Sequence, residues 1–440
     1  MCENDMYSTQ GMVRRRALAA FDGGEYESAR ELFEWCVNND ERDHAAWHAL
    51  GVIADLQGKS DIARACIERA LACTEEPDPQ YLYNYGTLAL RRKRMTEAEK
   101  ALRKALELKP DYVGALNNLG ALLSTLGKLG EAEELLGKVI SLDNRHFEAH
   151  NNLGNVLKDG GRICEALVSY QNAIRVKPDY AVAGSNYLMC RCYCHDAKAA
   201  EVFEAHKRWE RRQRRAAVPK RVSNTISSGR RRLRIGYVSP DFRTHSVAYF
   251  FEPILDHHNR GAFEIFCYAN VGAPDATTMR MKSKADVWRD ISTLSDREAA
   301  SLITGDHIDL LVDLAGHSGD NRLGIFLFRP APVAITYLGY PNTTGLSTID
   351  WRLTDAWSDP EGQESVYTER LYRLPGGFLC YRPPSSTPPV GDPPCLKNGY
   401  VTFGSFNYLA KVNEHVVEAW ANLLHRIPRA KIVIKTKPFN

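Results

Sequence analysis

The chain has 440 residues, with 57 Lys and Arg set against 54 Asp and Glu; a formal net charge of +3 singles out neither a polyanionic nor a membrane partner. At 44% hydrophobic and 25% charged residues it is an ordinary globular mixture, which excludes a disordered tract and predicts two or three domains with real cores. The eleven cysteines follow no spaced framework, which argues for reduced thiols in cytosol or nucleus rather than a disulfide scaffold. The opening MCENDMYSTQ has no apolar core and no run of about 18 apolar residues follows, so neither a secretory signal nor a membrane span is expected.

The first half repeats itself. Gly51, Gly86, Gly120 and Gly154 recur at intervals of 35, 34 and 34, and Ala63, Ala98, Ala132 and Ala166 follow each of them by twelve residues. The word NNLG occurs twice, 34 residues apart, and Pro110 and Pro178 close units two periods apart. A period of 34 with small residues at fixed points is the tetratricopeptide (TPR) signature: the small residues let two helices of a unit approach, and proline punctuates the units. Registering on Gly120 places repeat starts near Gln10, His44, Pro79, Val113 and Phe147, with a degenerate sixth near Ala181. The expected organisation is a tail over 1–9, an α-helical TPR superhelix over 10–212, a basic linker over 213–232, a first α/β lobe over 233–398 and the start of a second lobe over 399–440.

Asn84, Asn118, Asn152 and Asn186 recur once per unit, with Ala49 breaking the series. None is needed for packing. Their amides both donate and accept, so a column of them on the concave face would hold the main chain of an extended peptide. The alternative is a solvated groove residue with no ligand.

From Lys207 to Arg234 the chain carries twelve Lys or Arg. This suits a solvated helix end and a flexible joint better than a nuclear-import signal or a nucleic-acid patch. Just before it, Cys190, Cys192, Cys194 and His195 have alternate spacing, which on a helix turns Cys192 away from the other two thiols; no metal site is expected there.

After Arg232 the helical period stops. LRIGYVSPDF, FEIFCYAN, HIDLLVDLAGH, APVAITYLGYP, GYVTFGSFNYLAK and AKIVIKTK read as apolar strands, several of them entering polar loops, with helical stretches between. That alternation predicts doubly wound parallel sheets with the ligand site beyond the strands' carboxyl ends. Four loops qualify: SPDFRTHS, DLAGHSGDNR, GYPNTTG and GSFNYLAK. The chain has neither a Gly-x-Gly-x-x-Gly nor a Gly-x4-Gly-Lys-Ser/Thr motif, which disfavours a dinucleotide oxidoreductase and a P-loop kinase. It also has no Asp-x-Asp pair to hold a diphosphate through a metal, so a diphosphate would need lysine, hydroxyls and helix N-termini; Lys411 precedes a helix and suits that task.

TPR repeats followed by RIGYVSPDF, DLAGH, RPAPV, GYPNTTG and VTFGSFNYLAK resemble the nucleocytoplasmic protein O-glycosyltransferases, which include the O-GlcNAc transferases and the plant SPINDLY proteins. The resemblance runs from about Gln10 to Asn440, and GYVSPDFRTHSVAYFFEP and GYPNTTGLSTIDWRLTD look closest to the SPINDLY branch. It implies a GT-B enzyme of two Rossmann-like lobes. Such an enzyme is inverting and metal-independent, needs no cofactor, and transfers a sugar from GDP-fucose or UDP-GlcNAc to Ser or Thr hydroxyls of proteins in cytoplasm and nucleus. GDP-fucose is the donor implied by the SPINDLY branch. The implied catalytic residues are His245, Asp313 and His317. Ser318, Pro341, Asn342, Thr343, Thr344, Ser405, Asn407 and Lys411 are implied at the donor, with Lys411 on its phosphates. The implied partners are protein substrates in the TPR groove; nucleic acid and membrane are not expected, and self-association through the repeats is open. The first lobe looks complete, whereas the second stops after one β-α-β unit, so the 440-residue chain alone is expected not to transfer sugar. The alternative function is a TPR binding scaffold without catalysis.

Overall fold

The protein is described by a computed structural model covering residues 9–214, 232–383 and 387–436. It divides into two compact units, Met1–Leu153 and Gly154–Asn440. Most of the expected basic linker, from 215 to 231, lies outside the described residues.

The first unit is built of antiparallel helix pairs: α1 (Thr9–Asp22) with α2 (Tyr26–Asn39), α3 (His44–Leu56) with α4 (Ser60–Ala72), α5 (Pro79–Arg91) with α6 (Met95–Leu108), and α7 (Val113–Thr125) with α8 (Leu129–Leu142). Their starts are specified locally. Asp43 caps α3 by accepting from the Ala46 N–H, and Asp78 caps α5 ahead of Pro79, whose missing N–H costs nothing at a first helical position. Within a pair the small residues work as the period implies. A Cβ on Gly120 would sit 2.8 Å from Leu136 Cγ, sixteen residues on, and Leu136 is fully buried.

A ninth helix, α9 (Phe147–Asp159), runs across the division of the units. The second unit continues with α10 (Ile163–Val176), α11 (Ala181–Arg191) and α12 (Ala199–Arg214), then an α/β lobe. In chain order the lobe contains β1 (Leu233–Ser239), α13 (Ser246–His257), β2 (Phe263–Ala269), α14 (Ala276–Lys282), β3 (Val287–Asp290), α15 (Asp296–Gly305), β4 (Leu310–Asp313), α16 (Leu323–Leu327), β5 (Val333–Tyr337), β6 (Trp351–Thr354) and β7 (Arg370–Arg373). All seven strands are parallel, in the order β3-β2-β1-β4-β5-β6-β7. The order reverses at β1, so β1 and β4 are neighbours while their following chains leave in opposite directions; that reversal opens a crevice at the carboxyl edge.

One face of the sheet shares a continuous core with the last repeat helices. Leu188, Ala205 and Trp209 are buried together with Tyr268, Leu311, Phe326 and Leu346. This shared core explains why α10–α12 belong to the same compact unit as the sheet. The other face buries Phe242, Phe251, Ile265, Cys267 and Leu314.

After α17 (Pro394–Asn398), a separate parallel pair is formed by β8 (Thr402–Ser405) and β9 (Lys431–Ile434), linked through a 3₁₀ turn at Leu409–Lys411 and α18 (Glu414–Arg426). Asn413 caps α18 by accepting from the Val416 N–H at 3.0 Å. Phe406 is 72% and Val433 48% exposed, so this pair carries much uncovered apolar surface.

The close helix approach gives a paired prediction. Gly120→Ala forces a methyl into Leu136 and should destabilise the protein by about 1–3 kcal/mol. Gly137→Ala, on a helix face with nothing within 4 Å, should instead stabilise by roughly 0.5–1 kcal/mol. Urea unfolding of both variants checks the opposite signs; equal shifts would contradict the packing role of Gly120.

Candidate active site at the carboxyl edge of the sheet

The loops after β1, β4 and β5 meet at one edge because their strands are adjacent and in register: Val238 pairs with Asp313, and Asp313 with Thr336. In the first loop, Asp241 is buried and its N–H donates to Ser239 Oγ at 2.9 Å. His245 Nδ1 lies 3.4 Å from Asp241 Oδ1 and accepts from the Val247 N–H, which makes His245 the N-cap of α13. Its Nε2 has no hydrogen bond among the described residues, and the ring is partly exposed. Burial raises the Asp241 pKa, while the neighbouring His245 and Arg243 oppose the rise. The same loop is fastened sideways, since the Thr244 N–H donates to Asp275 Oδ2 at 2.7 Å and Asp275 caps α14.

In the second loop, Asp313 closes a turn. It accepts from the N–H groups of Ala315 and Gly316 and from Thr336 Oγ1 at 3.1, 2.9 and 2.8 Å. Burial pushes its carboxyl up to about 6 against those donors. Gly316 is required there: its φ is +55°, and an added Cβ would lie 2.2 Å from Tyr340 Cβ.

His317 is fully buried. Its Nε2–H donates to the Thr344 carbonyl at 2.8 Å, so Nδ1 accepts from Ser185 Oγ at 3.0 Å. Both nitrogens are thus engaged, and the ring is packed edge-on against Trp209 at 4.7 Å. Burial, then the neighbouring His206, lowers its pKa well below the ordinary histidine value. The Ser318 hydroxyl that follows is buried without a partner among the described residues.

The third loop is held from beneath. Glu369 accepts from Thr343 Oγ1 at 2.6 Å, from the Thr344 N–H at 2.8 Å and from the Thr344 hydroxyl. Arg352 donates to the carbonyls of Tyr340 and Asn342, both at 3.0 Å, and pairs with Asp359. Asn342 Oδ1 accepts from the Thr343 N–H, and Pro341 is exposed. The Tyr340 hydroxyl donates to His206 Nε2 at 2.9 Å, because His206 Nδ1–H is committed to the Val202 carbonyl. Glu210 accepts from the N–H and hydroxyl of Ser347.

The structure therefore brings His245, Asp313, His317, Ser318 and Pro341–Thr344 to one sheet edge. It places Ser405, Asn407 and Lys411 at the end of β8 instead, and no hydrogen bond joins the two sets among the described residues. The Lys411 side chain is exposed, and the Ser405 hydroxyl is buried without a partner among the described residues. An unpaired buried hydroxyl costs about 1–3 kcal/mol. Lys411 is fixed through its neighbours: Tyr408 donates to Asp159, and Leu409 packs against Gly161.

Of the repeat asparagines, Asn84 contacts His48 Nε2 at 2.9 Å, Asn118 donates to Thr87 Oγ1 at 3.1 Å, and Asn152 donates to Asn117 Oδ1 at 3.0 Å. Asn186 is half-buried on α11. Cys190, Cys192 and Cys194 each direct their thiol to a backbone carbonyl. The one group of three possible metal ligands among the described residues is His195, Glu414 and His415, all exposed.

Sequence reasoning missed Ser185, His206, Glu210, Tyr340, Arg352 and Glu369. The signal for α12 was present: His206, Trp209 and Glu210 share one helical face, hidden within a run noticed for its charge.

The neutral histidines make stability fall in acid. His317 stays unprotonated in the fold while the unfolded side chain titrates near its ordinary value of about 6.5. Below that pH the unfolded chain binds a proton that the fold excludes, which costs up to about 1.4 kcal/mol per pH unit per group. His206, lowered to about 4, acts the same way, whereas Asp313, raised to about 6, gains stability as pH falls. His317→Asn should therefore lose less stability than the native chain between pH 7 and pH 5; coincident slopes would contradict the neutral buried imidazole.

Comparison with known proteins agrees with this architecture. Residues 210–381 match the model of glycosyl transferase family 41, and residues 14–61 match a tetratricopeptide repeat model. A protein of Solanum lycopersicum named probable UDP-N-acetylglucosamine–peptide N-acetylglucosaminyltransferase SPINDLY is 42% identical over 270 residues, 60% of this chain and 29% of its own length. The protein of the same name from Arabidopsis thaliana is 42% identical over 269 residues, with the same shares. The chain thus spans 29% of the length of these curated relatives. A solved structure, a Lys-to-Met mutant of the Thermobaculum terrenum O-GlcNAc transferase, superposes with a TM-score of 0.75 at 36% identity, covering 81% of this chain and 68% of that one. With tetratricopeptide helices built into a seven-stranded parallel lobe, the chain belongs to glycosyltransferase family 41, in company with the SPINDLY proteins and O-GlcNAc transferases.

Proposed function

We propose that the protein transfers a sugar from a nucleotide sugar to Ser or Thr hydroxyls of other proteins. The convergence of the β1, β4 and β5 loops at the switch point of a parallel sheet carries this reading. The transfer inverts the anomeric carbon and uses no metal: the acceptor oxygen bonds to that carbon as its bond to the diphosphate oxygen breaks. His245 Nε2–H, with no hydrogen-bond partner among the described residues while Nδ1 accepts from the Val247 N–H, donates to the acceptor oxygen and positions it; taking its proton requires the other tautomer, with that capping hydrogen bond given up. Asp313 and His317 act as positioning residues, because their polar atoms are spent on shaping the loops.

The negative charge that develops on the leaving diphosphate is the main electrostatic demand, and Lys411 meets it. Ser318, Pro341, Asn342, Thr343 and Thr344 from the first lobe, with Ser405 and Asn407 from the second, line the donor. No cofactor is used, and the protein acts in cytoplasm and nucleus. Resemblance to the SPINDLY branch favours GDP-fucose as donor, although the relatives' names specify UDP-N-acetylglucosamine. Donor turnover by a form extended to the length of these relatives decides between them: turnover of UDP-GlcNAc alone sinks the GDP-fucose assignment, and turnover of neither sinks the enzyme. In the same protein Lys411→Met should lower the rate by about two to three decades, or roughly 3–4 kcal/mol of transition-state stabilisation. A variant turning over at the native rate would remove Lys411 from the mechanism.

The repeat asparagines are proposed to hold the substrate main chain. Replacing Asn84, Asn118, Asn152 and Asn186 by Ala should weaken modification of protein substrates while donor turnover holds. Because Asn84, Asn118 and Asn152 bridge to neighbouring side chains, a stability loss of about 0.5–1.5 kcal/mol for each lost hydrogen bond accompanies it. Unchanged protein modification would leave these amides with a structural task alone.

A further inference from the structure

Helices α10, α11 and α12 enclose a cavity of about 380 Å³ on the side of Trp209 lined by Gly184. Arg175, Arg208 and Arg212 line it together with Gln171 and Tyr187. None of the three guanidinium groups has an ion pair or hydrogen bond among the described residues, although acids are close in sequence. Those acids are committed elsewhere. Glu201 faces Arg191 at 3.5 Å, Glu204 accepts from Lys207 at 2.9 Å, and Glu210 holds Ser347 and lies 3.6 Å from Arg214.

We propose that this cavity binds a phosphoryl group carried on a protein side chain. Arg208 and Arg212 stand four residues apart on one helix face, an arrangement that destabilises an isolated helix unless an anion joins them. Partial burial and the charge of Arg208 both weaken the hold of Arg212 on its proton, so an incoming anion would relieve a cost already present. Cations in a last helical turn gain from the helix dipole, which accounts for Arg175 on α10 and Arg212 on α12. It does not account for Arg208, which lies before that turn and completes the cluster.

A phosphorylated residue offers close to two negative charges and three acceptor oxygens, matching planar guanidinium forks. Gln171 Nε2 donates to Tyr187 Oη at 3.3 Å, which leaves the tyrosine proton free for a further acceptor. Ile174 and Leu188 add an apolar wall beside the cations. A walled cavity of this size suits one phosphoryl with its carrying side chain, whereas a nucleic-acid strand needs an extended cationic track with open stacking faces. The inference does not depend on sugar transfer.

The test is fluorescence anisotropy on the whole chain at about 0.15 M salt. The probe is a labelled peptide with one phosphothreonine flanked by apolar residues. The unphosphorylated peptide, inorganic phosphate and a single-stranded oligonucleotide serve as competitors. The phosphopeptide should bind at least about tenfold more tightly than its unphosphorylated form. An Arg208→Gln/Arg212→Gln variant should lose that preference while keeping the native melting temperature. Should the double variant fail to fold, Arg175→Gln, on a different helix, should reduce the preference by itself. Equal binding of the two peptides, or a preference that survives in a folded variant, overturns the proposal. So does competition by inorganic phosphate as strong as by the phosphopeptide, which would make the site one for the free ion. Tighter binding of the oligonucleotide would overturn it in favour of nucleic acid.

Discussion

The architecture of the second unit depends on one neutral, buried imidazole. His317 receives a hydrogen bond from Ser185 on α11 and gives one to the Thr344 carbonyl in the loop after β5, while itself standing in the loop after β4. A charged ring could not accept from Ser185, and leaving either partner unpaired in a dry site costs about 1–3 kcal/mol. Burial, which punishes a charge, keeps the ring neutral, and the Thr344 carbonyl, which can only accept, selects the tautomer. The joint fixes three elements distant in sequence at one point. Trp209, His206 and Tyr340 close around it and exclude water.

Around that joint, buried charge is permitted only where it is paired. Arg352 and Asp359 are both buried, and Arg352 spends its remaining donors on two loop carbonyls. Glu369 is 3% exposed and accepts from both threonine hydroxyls and one N–H. Such pairs give little net stability over apolar packing but are costly to break, so they specify one loop conformation. His245 and Lys411 differ from them: each is at least partly exposed and keeps a polar group without a partner among the described residues. Frozen loops that present a few unspent groups are what preorganised electrostatic catalysis requires.

The repeat and the alternation of apolar strands were legible because each is a period in the sequence. Gly120 and Leu136 recur with their equivalents every 34 or 35 residues, and LRIGYVS is an apolar run of strand length. The short strands β3, β6 and β7 were not legible. Each has four residues with polar side chains among them, and β6 holds Arg352, whose burial is intelligible only once Asp359 is beside it. The loops of the site were legible as polar segments after strands, but the work of their residues was not. Asp313 and His317 look like reactive groups in a linear sequence; their partners Thr336, Ser185 and Thr344 lie 23, 132 and 27 residues away. Nothing local records hydrogen bonds of that range.

The last repeat helices also hold the loops of two separate sheets. The loops of the seven-stranded sheet are fastened to α11 and α12 through Ser185, His206 and Glu210. The loop after β8 is fastened mainly one repeat earlier, where Tyr408 meets Asp159 and Leu409 fills the space over Gly161, with the Tyr408 ring also against Tyr193 between α11 and α12. Lys411 follows this anchor by two residues. Among the described residues no hydrogen bond between the sheets sets its placement relative to His245. That placement is set by the spacing of helix pairs, which packing at native density holds within narrow limits. Within this unit the repeats therefore act as a ruler between the two sets of loops. A change of packing at Gly154 or Gly184, where an added Cβ would lie 2.5 Å from Tyr170 and 2.3 Å from Trp209, would be felt at the candidate site without touching it.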